Sequence, residues 1–224
     1  MRIGILGSGN LAEGLGTGWV SAGHEVLIGG RSPARTRDLA GRLGRGARAV
    51  TPREAVAGRD AVLLAVSWDG VEEMLRSAGA AQGSLDGVPL IDPTNAVEHG
   101  VGVLLTGPGE SAAQRISALA PGAHVVKAFH LFPAGQWAKA TGEDGSSVTV
   151  AMCGDDAAAL DVVGGLVRDV GAVPAVLGPL KRARQLEEVA GFVIGLAFAG
   201  LDPASAVPHV PAPAAPGDAT TASP

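Results

Sequence analysis

Short apolar runs rich in Val, Ile and Leu alternate along the chain with longer Ala-rich segments whose apolar positions recur at helical spacing. The runs predict eight strands, over 2–6, 25–28, 47–50, 61–66, 89–91, 124–128, 147–152 and 173–176. The longer segments predict helices over 10–22, 33–43, 52–57, 70–80, 111–119, 155–170 and 180–200. The run Ala61-Val62-Leu63-Leu64-Ala65-Val66 shows no polar alternation, as expected of a strand covered on both faces. Strand and helix in turn predict an α/β fold, a doubly wound and mainly parallel sheet with helices on both faces. Pro33 and Pro52 stand where a first helical turn tolerates proline, and Asp155 and Asp156 read as N-cap and first-turn acids. From Asp202 onward Pro, Ala, Ser and Thr crowd the chain. One domain over 1–201 with a small C-terminal helical extension is therefore expected, followed by a disordered tail over 202–224.

Directly after the first strand comes Gly7-Ser8-Gly9-Asn10-Leu11-Ala12, a G-x-G-x-x-A turn opening a helix. Gly7 permits the tight turn, Gly9 admits a pyrophosphate to the backbone, and Ala12 allows close helix–strand packing. This is the dinucleotide fingerprint of a Rossmann-type domain, with strand, turn, helix and second strand all in place. After the second strand an NAD site would carry an acid for the ribose hydroxyls, but the chain reads Gly29-Gly30-Arg31-Ser32-Pro33-Ala34-Arg35. Arg31, Ser32 and Arg35 offer two guanidinium groups and a hydroxyl to a 2′-phosphate, which points to NADP(H). Arg37 reads as part of a solvated helix face.

Composition removes several classes. Seventeen basic against 22 acidic residues give a net charge of −5 with no large basic block, so nucleic acid is not an expected partner. A single cysteine, Cys153, makes no intrachain disulfide and no metal site, and it reads as a small buried hydrophobe. The chain has no tyrosine, which excludes a Tyr-x-x-x-Lys reductase, and no G-x-S-x-G elbow. The apolar stretch 189–201 is too short for a bilayer, and a first strand starting at Arg2 leaves no room for a signal peptide. No membrane and a cytoplasmic location are the expectation. Phe192, Ile194, Leu196 and Phe198 exceed what one small domain covers, so a homodimer is expected.

Seven spaced blocks carry a family resemblance: Ile5-Leu6-Gly7-Ser8-Gly9-Asn10-Leu11, Gly29-Gly30-Arg31, Leu64-Ala65-Val66-Ser67-Trp68, Ile91-Asp92-Pro93-Thr94-Asn95, Val125-Val126-Lys127-Ala128-Phe129-His130, Cys153-Gly154-Asp155-Asp156 and Gly178-Pro179-Leu180. In these blocks, across the chain to about Leu201, it resembles the NADP oxidoreductases that work with the deazaflavin coenzyme F420. That family also includes the cytosolic domain of membrane ferric reductases, whose transmembrane part has no counterpart here, so ferric reduction at a haem is not expected. The resemblance implies a nicotinamide near Val66, Ser67, Trp68, Asn95 and the Phe129-His130 segment. It also implies that Ser8, His130, Leu131, Phe132, Pro133 and Leu180 shape the second cofactor's pocket. Leu131-Phe132, the Trp137 region and the loop 97–109 depart from the family pattern where the electron acceptor sits.

Hydride transfer between two stacked rings depends mainly on positioning. His130 is the candidate catalytic residue. It follows a buried strand at its C-terminal end, and either delivers a proton or hydrogen bond to the acceptor or is satisfied by a backbone carbonyl. Asp92 reads as structural, holding its turn. Trp68 and Trp137 either line the acceptor pocket or anchor packing. Lys127 and Lys181-Arg182-Ala183-Arg184 either meet an acidic coenzyme tail or solvate helix ends. The leading expectation is hydride exchange between NADP(H) and coenzyme F420. The alternatives are an NADPH-dependent reductase of a small imine, carbonyl or flavin, and a nonenzymatic NADP(H)-sensing module.

Overall fold

The computed structural model describes residues 1–138 and 147–208. All eight predicted strands form, and they make one sheet: β1 (Arg2–Leu6), β2 (Glu25–Gly29), β3 (Ala47–Val50), β4 (Ala61–Leu64), β5 (Pro89–Asp92), β6 (His124–Lys127), β7 (Thr149–Gly154) and β8 (Val173–Val176). Their order is β3-β2-β1-β4-β5-β6-β7-β8. Every described pairing is parallel except β6 with β7, where Lys127 faces Cys153. The chain winds outward from β1 to β3, then returns to lay β4 on the other side of β1. That reversal leaves a crevice at the C-terminal strand ends, where open α/β sheets bind ligands.

Among the described residues are seven α-helices, α1 (Asn10–Ser21), α2 (Pro33–Leu43), α3 (Pro52–Val56), α4 (Val71–Ala78), α5 (Ala112–Leu119), α6 (Ala157–Asp169) and α7 (Ala183–Phe198). Alternate side chains of each strand feed two cores, as the period of two requires. Ile3, Ile5, Val26 and Ile28 pack under α1, α2 and α6. Leu6, Val62, Leu64 and Leu90 pack under α3, α4, α5 and α7. Cys153 is buried in the second core, and burial pushes its thiol up to about 11.

Local signals set the ends. Ser32 caps α2 by accepting from the Arg35 amide, with Pro33 at the first helical position. Thr51 with Glu54 and Ser111 with Gln114 form capping boxes on α3 and α5. Asp156 caps α6 through the Ala159 amide, and Asp155 accepts from the Leu180 amide instead. The predicted helix over 180–200 begins only at Ala183, because Leu180–Arg182 coils as a 3-10 turn after Gly178 and Pro179. Within the tail predicted over 202–224, Pro203–Ala206 makes a 3-10 turn capped by Asp202, and 209–224 lie outside the described residues.

Candidate functional site

The glycine turn meets its physical demands. Gly7 has φ +126°, and a Cβ there would lie 2.0 Å from the Ala65 carbonyl oxygen, so only glycine fits. Gly9 is the reverse case: a Cβ would meet nothing within 4 Å, and no side chain caps α1. The start of α1 therefore opens onto free space with its first-turn amides uncapped, as an anion site needs. Ser8 and Asn10 flank this opening, Ser8 half-buried beside Gly30 and Asn10 exposed. Leu11 instead packs against the first core.

At the end of β2, Arg31 and Arg35 are exposed and Ser32 is half-buried. The Ser32 oxygen accepts from the Arg35 amide, which leaves its hydroxyl hydrogen to donate elsewhere. Arg31 crosses to α4, where Nη1 lies 3.2 Å from Oε2 of Glu73.

A cavity of about 730 Å3 opens beyond β4 and β5. Val66, Ser67, Trp68, Pro93, Thr94 and Asn95 form one wall. Val97, Glu98, His99, Leu105, Ile194 and Phe198 form the other. The Ser67 hydroxyl, which donates to Asp69, holds that carboxyl below its usual range, with Arg31 adding to the effect. The loop 97–109 was expected at the acceptor, but the α7 half of this second wall, Ile194 and Phe198, was not. Residues 97–105 fold as a small hairpin through a Val97–Leu104 bridge. Its turn lies flat on α7 because Gly102 and Gly191 meet backbone to backbone: a Cβ on Gly191 would lie 2.2 Å from the Gly102 oxygen. That glycine pair is the one signal that could have placed His99 and Phe198, whose rings touch edge to face at 5.0 Å.

Beneath the first wall lies a charged cluster shut off from solvent. Asp92 Oδ1 accepts from the Thr94 amide and hydroxyl at 2.8 and 2.6 Å, holding the turn as expected. Lys127 Nζ lies 3.1 Å from Asp92 Oδ2 and 3.1 Å from Glu187 Oε1, and it donates to the Thr94 carbonyl. Glu187 also accepts from the Ala112 and Ala113 amides at the start of α5. Neither expectation for Lys127 holds, since it is fully buried and meets no solvent or coenzyme tail. Arg184 is likewise spent on Glu188 and on the Gly107 and Glu110 carbonyls, so it ties the loop after the hairpin to α7.

Asn95 Nδ2 donates to the His130 carbonyl at 2.7 Å, and its Oδ1 is buried without a partner. His130 is 6% exposed, and its Nδ1 also lacks a partner. Burial, with the Lys127 charge behind it, lowers its pKa to about 3. The imidazole is thus neutral at pH 7.

Phe129 sits at φ 61° and is 2% exposed, its ring between Trp19 and Trp137, so its backbone is the part that can face a ligand. Trp137 is a packing anchor set edge to face against Phe129 and Phe132. Leu131 and Phe132 are half-buried. Leu180 stands apart from the other predicted pocket residues, in a separate depression with Gln114, Ser117 and Asp155.

Comparison with known proteins meets this geometry. Residues 2–96 match the sequence model of the family described as NADP oxidoreductase coenzyme F420-dependent. It is the family that the sequence blocks resemble. The matched segment runs from β1 through the glycine turn to Asn95, the first wall of the cavity. A metalloreductase, STEAP3 of Rattus norvegicus, is 32% identical over 193 residues, covering 84% of this chain and 36% of the relative. The chain thus spans about a third of the length of the curated relatives it matches. A solved structure from Arthrobacter sp. fb24, described as an F420-dependent NADP-reductase, is 25% identical with a TM-score of 0.78, covering 90% of this chain and 96% of that one. An imine reductase from Streptomyces aurantiacus, 17% identical at a TM-score of 0.64 over 91% of this chain and 69% of its own, shares the fold. The matched family is one of NADP-dependent oxidoreductases. Among the described residues no helix is long and apolar enough to cross a membrane.

Proposed function

We propose that this protein transfers hydride between NADP(H) and the deazaflavin coenzyme F420. The observation that carries the reading is a 730 Å3 cavity, walled by Ser67, Trp68 and Asn95, at the same sheet edge as the uncapped glycine turn. One cavity at that place suits the two rings that hydride transfer must bring face to face. Gly7, Ser8, Gly9 and the first turn of α1 suit a pyrophosphate, and Arg31, Ser32 and Arg35 suit the 2′-phosphate. When bound, NADPH supplies the hydride and the deazaflavin ring accepts it. Ser67 and Trp68 border the ring position, and Leu105, Ile194 and Phe198 give the opposite wall its apolar surface. Neutral His130 holds Asn95 in place through its carbonyl rather than supplying a proton.

The test is NADPH oxidation by the purified protein with and without oxidised coenzyme F420, followed at the deazaflavin absorbance band. NADPH-dependent loss of that band is expected; no loss with NADPH still bound overturns the acceptor assignment. A second reading, reduction of a small carbonyl, imine or flavin, is favoured by His99 in the cavity wall, a residue type that can donate the proton that carbonyl or imine reduction requires. NADPH turnover with such a substrate and none with F420 selects it. We also infer that two copies associate through α7, whose Val189, Phe192 and Phe198 are exposed.

A further inference from the structure

Arg31 is the first residue expected to meet the 2′-phosphate, yet the protein already gives it a carboxylate. Its Nη1 lies 3.2 Å from Glu73 in the first turn of α4, while Nη2 lies over Gly70 and its charge reaches Asp69. Both partners of the pair are open to solvent, Arg31 60% and Glu73 54% exposed, so a phosphate can approach the same guanidinium. We propose that Glu73 is a specificity-determining residue that competes with the 2′-phosphate of NADP(H) for Arg31, weakening nucleotide binding and speeding its release. This rests on the reading of Arg31 as a 2′-phosphate ligand.

The physics sets sign and size. A phosphate dianion attracts the guanidinium more strongly than one carboxylate does, so the phosphate wins the exchange. Binding is nevertheless reduced by what the carboxylate pair was worth, and on departure Glu73 recaptures Arg31. An exposed pair of this kind amounts to a factor of about two to five in affinity. NAD(H) carries no 2′-phosphate, so the exchange does not arise for it. The competing explanation is that Glu73 merely complements the dipole of α4. Glu72 stands beside it in the same turn, pairs with Arg76 at 2.8 Å, and provides the control.

The experiment titrates the full chain and its E73Q, E72Q, R31Q and R31Q/E73Q variants with NADP+ and with NAD+ by calorimetry, and measures NADP+ dissociation by stopped flow. E73Q is expected to bind NADP+ about two- to fivefold tighter and to release it more slowly by the same factor, with NAD+ unchanged. The gain shrinks as salt rises and disappears in the R31Q background. E72Q leaves the NADP+/NAD+ ratio where it was. Unchanged or weaker NADP+ binding in E73Q, equal tightening for NAD+, the same gain in E72Q, or a gain that survives R31Q each overturns the proposal. A wild-type protein that does not prefer NADP+ over NAD+ removes the 2′-phosphate reading itself, whereas a selective wild type with an unresponsive E73Q removes only the role of Glu73.

Discussion

Asn95 is held from one end only: its amide nitrogen is bound to the His130 carbonyl while its oxygen is left bare. Replacing it, Asn95→Ala, frees that carbonyl and removes a side chain from the cavity wall, and kcat/KM for NADPH is expected to fall about tenfold. Steady-state kinetics with protein confirmed folded by circular dichroism checks this; unchanged kcat/KM would contradict the site. His130 leads to a pH prediction. Its folded pKa, about 3, lies below the ordinary 6.5, so between those values the unfolded chain binds the proton and the folded one does not. Stability is then full above pH 6.5 and declines as pH falls, by up to about 1.4 kcal/mol per pH unit, levelling off near pH 3. Urea melts of wild type and His130→Gln across pH 4–7 should show the variant losing that slope. At this scale the sequence spoke clearly where the backbone sets the chemistry, as at Gly7, Gly9 and Asp92. It was silent on side-chain direction. Nothing local distinguishes a Phe129 that faces the pocket from one that turns at φ 61° into the core.

Among the elements, the strands and helices were readable because buried parallel strands and capped helices leave strong local patterns. The path of the 97–105 hairpin was not, because it depends on a contact almost 90 residues away in sequence, between Gly102 and Gly191. The same contact can be broken without touching the nucleotide turn. In Gly191→Ala the new methyl would lie 2.2 Å from the Gly102 oxygen, forcing the hairpin off α7. The acceptor KM is expected to rise at least fivefold with NADP+ affinity nearly unchanged, as measured by acceptor saturation kinetics beside NADP+ titration. A parallel loss of both would mean that α7 itself had unfolded.

For the whole molecule, the doubly wound order was foreseeable from alternation, but the reversed β7 was not, since strand direction leaves no mark on a short apolar run. The expected self-association belongs to this scale. Val189 and Phe192 are exposed and Val193 and Leu196 half-buried, at spacings of three, four and seven along α7, the stripe by which helices pack. Light scattering should give twice the chain mass, and Phe192→Glu should halve it; a wild-type monomer would remove the dimer. The buried Lys127 cluster also bears on how the molecule opens. The Ala112 and Ala113 amides would ordinarily trade their protons with water within moments, being the first of a helix, yet both are held by a carboxylate from α7. Their deuterium uptake is therefore expected to be slow and to keep pace with the backbone of α7, so that two amides in the middle of the chain act as a clock for the detachment of its last helix.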